Sequence, residues 1–176
     1  SAPLTGENGI SKTFTINGYG DRFSWSPAGD YLAISSISGG KNLHIYSFDS
    51  TNNTFSLVDD VAIFDATKAF IAQWSPSGKQ IAGTSQAANG SGAEVAVFSF
   101  DGKQLVELEG CRYETTSDAT AIEWAPDGKW FSVLGGASVS AIFKFDGAKT
   151  ENSNALANGA YRRGGVWSPD GRFFAV

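Results

Sequence analysis

Several residue types are absent or scarce in this chain of 176 residues. It has no methionine, one cysteine (Cys111) and one histidine (His44). A lone cysteine can form neither an internal disulfide nor a thiolate metal cluster, and a lone histidine leaves little room for a zinc site or a Ser-His-Asp triad. Charged residues make up only 18%, with 13 Lys and Arg against 18 Asp and Glu. The net charge of −5 works against a nucleic-acid backbone, so no nucleic-acid partner is expected. No apolar run approaches the ~18–20 residues that cross a bilayer, and no membrane insertion is expected. Ser1-Ala2-Pro3-Leu4 has neither the basic head nor the apolar stretch of a signal peptide. The compartment stays open, with a periplasmic or extracellular one preferred over the cytoplasm. No Gly-x-x-x-x-Gly-Lys loop, Gly-x-Gly-x-x-Gly turn or Gly-x-Ser-x-Gly elbow is present. Accordingly no catalytic, cofactor-binding or metal-ligating residue is singled out, and no cofactor is expected.

What the chain does have is a repeat. Four of its five tryptophans and four of its five prolines fall in one recurring phrase. It reads Trp25-Ser26-Pro27-Ala28-Gly29, Trp74-Ser75-Pro76-Ser77-Gly78, Trp124-Ala125-Pro126-Asp127-Gly128 and Trp167-Ser168-Pro169-Asp170-Gly171. The tryptophans are 49, 50 and 43 residues apart. An alternating run leads into each tryptophan, as in Arg22-Phe23-Ser24-Trp25 and Ala121-Ile122-Glu123-Trp124. Proline then fixes φ and glycine accepts positive φ, which turns the chain into a second strand such as Gln80-Ile81-Ala82-Gly83-Thr84. The middle of that strand is always small: Ala33, Ala82, Ser132 and Ala175. Such residues suit a layer where two sheets approach closely.

A third strand follows at Leu43–Phe48, Val95–Phe100 and Ser140–Phe145, each ending in a hairpin signal: Asp49-Ser50, Asp101-Gly102 and Asp146-Gly147. A fourth strand is clear at Phe55–Val58 and Gln104–Leu108, whereas Thr150–Leu156 is polar and poorly strand-like. Helical periodicity is absent. Four short antiparallel strands in a unit of ~40–50 residues make the blade of a β-propeller. The fold expected is therefore all-β, a propeller of about four four-stranded blades in a single domain spanning 1–176, with repeats near 21–58, 70–108, 121–156 and 164–176. Residues 11–18, ending in Asn17-Gly18, match a third strand with its turn and could complete the last blade; the alternative is that Thr13–Ile16 is itself an outer strand. Three arrangements fit: a closed four-bladed ring, a piece of a six- to eight-bladed propeller, or a ring or fibre built by strand exchange between copies. The missing methionine and the abrupt end favour the second.

The Trp-Ser-Pro-Asp-Gly phrase resembles the blade signature of TolB-type and WD-repeat-like propellers, and of the propellers attached to prolyl-oligopeptidase-type hydrolases. The Gly-His and Trp-Asp signatures of a WD repeat proper are missing. The resemblance covers essentially the whole chain and implies a fold more than a function. The motif residues Trp25, Pro27, Gly29, Trp74, Pro76, Gly78, Trp124, Pro126, Gly128, Trp167, Pro169 and Gly171 are expected to be structural, with the tryptophans as blade-to-blade core. Arg162-Arg163, the one doubled basic pair, is a possible contact for an anionic ligand. Asn52 and Asn89 head N-x-S/T acceptors and are candidate glycosylation sites. Cys111 is expected to be a part-buried structural thiol, and His44 a surface residue or local contact. The loops 59–68, 86–93 and 149–160 differ between repeats and are where a partner surface is expected. From these features the expected function is a non-enzymatic scaffold for protein–protein contact or self-assembly, its partners another protein or copies of itself. Two alternatives stand beside it: an accessory propeller of a larger hydrolase, and a propeller that binds a small ligand or glycan.

Overall fold

The computed structural model describes residues 19–64, 70–85, 94–114, 119–135, 140–155 and 164–176. None of these is helical. The first sheet is β1 (Tyr19–Trp25), β2 (Tyr31–Ser38), β3 (Lys41–Asp49) and β4 (Thr54–Val61), paired antiparallel in that order. The second is β5 (Phe70–Trp74), β6 (Gln80–Ser85), β7 (Val95–Phe100) and β8 (Leu105–Glu107). The third is β9 (Ala119–Trp124), β10 (Trp130–Gly135), β11 (Ala141–Phe145) and β12 (Thr150–Ala155). A two-stranded hairpin follows, β13 (Val166–Trp167) with β14 (Phe174–Ala175). Consecutive sheets pack face to face, and β9 meets β13. No comparable packing joins the last hairpin to the first sheet among the described residues. This is the blade order of a β-propeller.

The recurring phrase forms the same turn each time. Ser75 N–H donates to the Gln80 carbonyl and Gly78 N–H to the Ser75 carbonyl, both at 2.9 Å. Equivalent bonds close the other three turns. The serine hydroxyl adds a third bond, accepting from Tyr31 N–H on Ser26, from Gln80 N–H on Ser75 and from Phe173 N–H on Ser168, at 3.0–3.2 Å. Gly78 has φ +70°, a conformation that disfavours any side chain. A methyl there would also lie 3.5 Å from Pro27 Cδ of the preceding blade, so the turns stack from sheet to sheet.

Strand alternation makes two cores, one on each side of the second sheet. Phe70, Ala72, Trp74, Ile81, Phe98 and Phe100 join Leu43 and Ile45 of the first sheet and Ile63 just beyond it. Ile71, Ala82, Val95 and Val97 face Trp124, Phe131, Val133 and Phe143 of the third. Gly83 admits the Phe70 ring, which a β-carbon there would strike. The matching pair in the third sheet is Thr120 with Val133, so bulk moves from one strand to the next.

Two local expectations change. The polar segment at Thr150–Ala155 is a strand, paired with β11 from Phe145 to Ala141. It is the outermost strand, and Glu151–Ser153 are exposed, so backbone pairing suffices and no apolar face is needed. Asp59 and Asp60, read as loop residues, lie in β4, where Asp59 Oδ2 accepts the Leu105 N–H of β8 at 2.7 Å. The expected strand at 11–18 lies outside the described residues.

Candidate functional site

The first strand of each sheet is an edge strand, so one row of its backbone groups lacks a ladder partner. In the first two sheets the residue just before the motif tryptophan reaches across to the next blade and supplies one. Ser24 Oγ accepts the Trp74 N–H at 3.1 Å, and Gln73 Oε1 accepts the Trp124 N–H at 2.9 Å. The indoles tie back in the opposite sense. Trp124 Nε1–H donates to the Gln73 carbonyl and Trp167 Nε1–H to the Glu123 carbonyl, each at 3.2 Å. Trp74 Nε1 departs from the pattern: it is buried with no acceptor.

These inner strands converge on a cavity of about 240 Å³, lined among others by Arg22, Ser24, Gln73, Thr120 and Glu123. Gln73 organises it. Its carbonyl oxygen is committed to a backbone N–H, so its NH2 end faces the other way and donates to Glu123 Oε2 at 2.9 Å. One carboxylate oxygen of Glu123 is thereby held, leaving Oε1 open to a hydrogen-bond donor in the cavity. No salt bridge among the described residues involves Arg22. Its guanidinium is suited to an anion or to negative charge that develops on an oxygen during a reaction. A carboxylate and a guanidinium lining one cavity are the minimum equipment for adding water to a carbonyl group.

The residues singled out from the sequence are elsewhere. Trp74 and Trp124 are buried at 4% and 7% exposure, Trp167 is half-buried, and Trp25 is 48% exposed, its ring against Phe48 and Phe55. Asp49, Asp101 and Asp146 shape hairpin turns. Asp101 Oδ1 accepts from Lys103 and Gln104 N–H, and Asp146 Oδ1 from Ala148 and Lys149 N–H, at 2.8–2.9 Å. These bonds hold both carboxyls below the usual Asp range. Asn52 is exposed in the turn after β3, its amide bonded to Asp49 Oδ2 at 2.7 Å. His44 is buried, its Nε2 3.0 Å from the Ser36 carbonyl, rather than at the surface. Cys111 is fully buried, its thiol donating to the Ala148 carbonyl at 3.3 Å, and burial pushes its pKa up to about 11, so it is unreactive at neutral pH. Arg162, Arg163 and Asn89 lie outside the described residues. Arg22, Gln73 and Glu123 were not singled out as site residues. The available signal was that the position before the tryptophan varies, as Ser24, Gln73, Glu123 and Val166, while its neighbours repeat.

No protein-family model matches the chain, and no curated protein matches it in sequence. Solved structures do match in shape. A Bacteroides uniformis protein assigned as a 6-phosphogluconolactonase superposes with a TM-score of 0.73 at 19% identity, over 89% of this chain and 46% of that one. The periplasmic gluconolactonase of Pseudomonas aeruginosa gives 0.71 at 18% identity, over 98% and 54%. Hydrazine synthase of Kuenenia stuttgartiensis gives 0.61 at 22%, over 86% and 40%. The chain thus spans about half the length of the two lactonase structures. At these identities the likeness establishes an all-β propeller fold. It also corrects the expectation of a non-enzymatic scaffold built for protein contact or self-assembly, because three of the matching structures named here are enzymes by name. The expectation rested on missing motifs of serine, metal and nucleotide chemistry, none of which a carboxylate-and-guanidinium site requires.

Proposed function

We propose that this chain carries blades and part of the channel site of a propeller hydrolase that opens sugar lactones. The observation that carries the reading is the Glu123 carboxylate, oriented by Gln73 and lining the channel cavity with Arg22. The shape shared with two lactonases supports it. In the same reading the repeated Trp-Ser-Pro-Asp-Gly phrase is a TolB-type blade signature on a hydrolytic propeller.

The reaction uses water as its second substrate. Glu123 takes one proton from water as the water oxygen bonds to the lactone carbonyl carbon. The carbonyl electron pair moves onto its oxygen, stabilised by Arg22. The carbonyl then re-forms, the ring C–O bond breaks, and the proton on Glu123 passes to the departing ring oxygen. The product is the open hydroxy acid, which releases its carboxyl proton to solvent. Gln73 acts as a positioning residue, fixing the carboxylate without touching the substrate.

Proton release from glucono-δ-lactone, corrected for spontaneous hydrolysis, tests this. Catalysis by the chain should fall by roughly 10²–10⁴ in Glu123→Gln, the usual span of a general base. Arg22→Ala should lower kcat/KM with the fold intact. A chain that adds nothing to the spontaneous rate, or a Glu123→Gln variant as fast as the parent, would overturn the proposal.

A further inference from the structure

The described sheets stack by one rule. The motif tryptophan of each sheet faces the sheet before it. Trp74 joins the core shared with the first sheet and Trp124 the core shared with the second, and the Trp167 indole bonds the Glu123 carbonyl of the third. The residue six places past the tryptophan faces the sheet after it. Tyr31 does so for the first sheet, its ring 5.0 Å from Phe100 and 6.2 Å from Trp74. The turns keep the same order. A methyl at Gly78, Gly128 or Gly171 would lie 3.5, 3.8 or 3.7 Å from Cδ of Pro27, Pro76 or Pro126 in the sheet before.

The rule leaves two faces unmatched. Among the described residues no sheet packs on the side of the first sheet that Trp25 faces. Trp25 is 48% exposed, on half-buried Phe48 at 5.5 Å and Phe55 at 5.8 Å. Phe23, two residues before it, and Leu57, two residues past Phe55, share that face by strand alternation and are also exposed. A methyl at Gly29 would meet nothing within 4 Å. On the last hairpin the opposite face is bare. Phe173 stands six residues past Trp167, where Tyr31 stands past Trp25, and is 65% exposed. Ala175 and its ladder partner Val166 lie on the same face and are exposed too.

We propose that a second copy of this chain covers both faces, the last hairpin of each copy packing head to tail on the first sheet of the other. The two faces are the halves of the contact already seen between the first and second sheets. In that register Phe173 of one copy lies against Trp25 and Phe48 of the other, as Tyr31 lies against Trp74 and Phe100, and Pro169 lies against Gly29 as Pro27 lies against Gly78. The hairpin supplies two inner strands, and the inner strand β1 carries the bare Phe23 and Trp25. A head-to-tail contact closes into a ring when its rotation closes. Each copy follows the curve of about half of each lactonase propeller it superposes on, so two copies complete the circle. Their eight sheet positions lie within the ~4–8 blades of a propeller. The pairing rests on packing and not on the proposed reaction. To that reading it adds a channel with Arg22, Gln73 and Glu123 of both copies around it.

Sedimentation velocity and light scattering of the full chain across a dilution series test this. The expected result is one species of twice the chain mass that gives way to single chains on dilution. Trp25→Glu and Phe173→Glu both fall at exposed positions and should keep the fold, as read by amide NMR. Each should raise the dissociation constant at least roughly tenfold, as for an aromatic anchor of an interface. Mixed one to one, the two variants should pair again. One of their two contacts then joins an unaltered Phe173 to an unaltered Trp25. At dilutions where the copies part, Trp25 is exposed and its loss costs little fold stability. A chain that stays single up to its solubility limit, or a ladder of ever larger species in place of a closed pair, would overturn the proposal. So would a Phe173→Glu variant that pairs like the parent, or a mixture that pairs no better than either variant alone.

Discussion

The second sheet has one packed neighbour on either side, and the two contacts are built from the same repeated positions with different residues. Towards the first sheet, Trp74, Phe98 and Phe100 pack with Tyr31, and Gly83 admits Phe70. Towards the third, Trp124 packs on Phe131 and Phe145, and Val133 stands where Gly83 stood. The first contact is filled to its turn end; the second opens there into a groove. At the inner edge the order reverses. Ser24 only closes a backbone bond to the next blade, whereas Gln73 closes that bond and also orients a carboxylate. Repeated residues therefore build the stack, and departures from the repeat create its cavities and chemistry.

The largest test of that comparison is removal of the tryptophans. Trp74→Ala and Trp124→Ala should each cost about 3–5 kcal/mol in chemical denaturation, as for a large buried aromatic. Trp25→Ala should cost clearly less, because Trp25 is 48% exposed. Equal losses at all three positions would show that the motif tryptophan does the same work in every blade. Next comes Gly83→Val, which places the third sheet's residue in the second. Collision with the Phe70 ring should destabilise by roughly 1–3 kcal/mol, and Phe70→Thr in the same chain should recover part of it.

Smaller effects probe the turns. Ala125 stands where Ser26, Ser75 and Ser168 each accept a backbone hydrogen bond. Ala125→Ser should stabilise by about 0.5–1.5 kcal/mol by supplying an acceptor to Trp130 N–H. No gain would mean that the third turn differs in more than its hydroxyl. The smallest effect is acid sensitivity. Backbone donors lower the carboxyls of Asp101 and Asp146 in the folded chain. A lowered native value adds stability above the unfolded Asp value of about 3.9, and that stability is lost as pH falls through the native values. Asp101→Asn and Asp146→Asn should each flatten this acid limb in thermal melts recorded between neutral and strongly acid pH.

Much of the fold was legible because its signals are local. Pro27-Ala28-Gly29 and its three counterparts specify a turn by φ alone, and Asp101-Gly102 ends a hairpin by its own hydrogen bonds. The polar strand at Thr150–Ala155 was less legible, since an outermost strand needs backbone partners more than apolar side chains. The channel residues gave no such signal. Ser24, Gln73 and Glu123 look like ordinary polar positions in alternating strands. What sets them apart is an open inner edge, which exists only once the sheets are stacked. Gln80 likewise becomes informative only beside Tyr31 in the neighbouring blade.

The most direct measurement of the channel site is a crystal structure of the chain with gluconate, the open product of the proposed reaction. Gluconate should lie in the cavity, its carboxylate on Arg22 and its hydroxyls within hydrogen-bond reach of Glu123 and Gln73. A channel left empty at saturating gluconate, or gluconate bound only at another surface, would contradict the site.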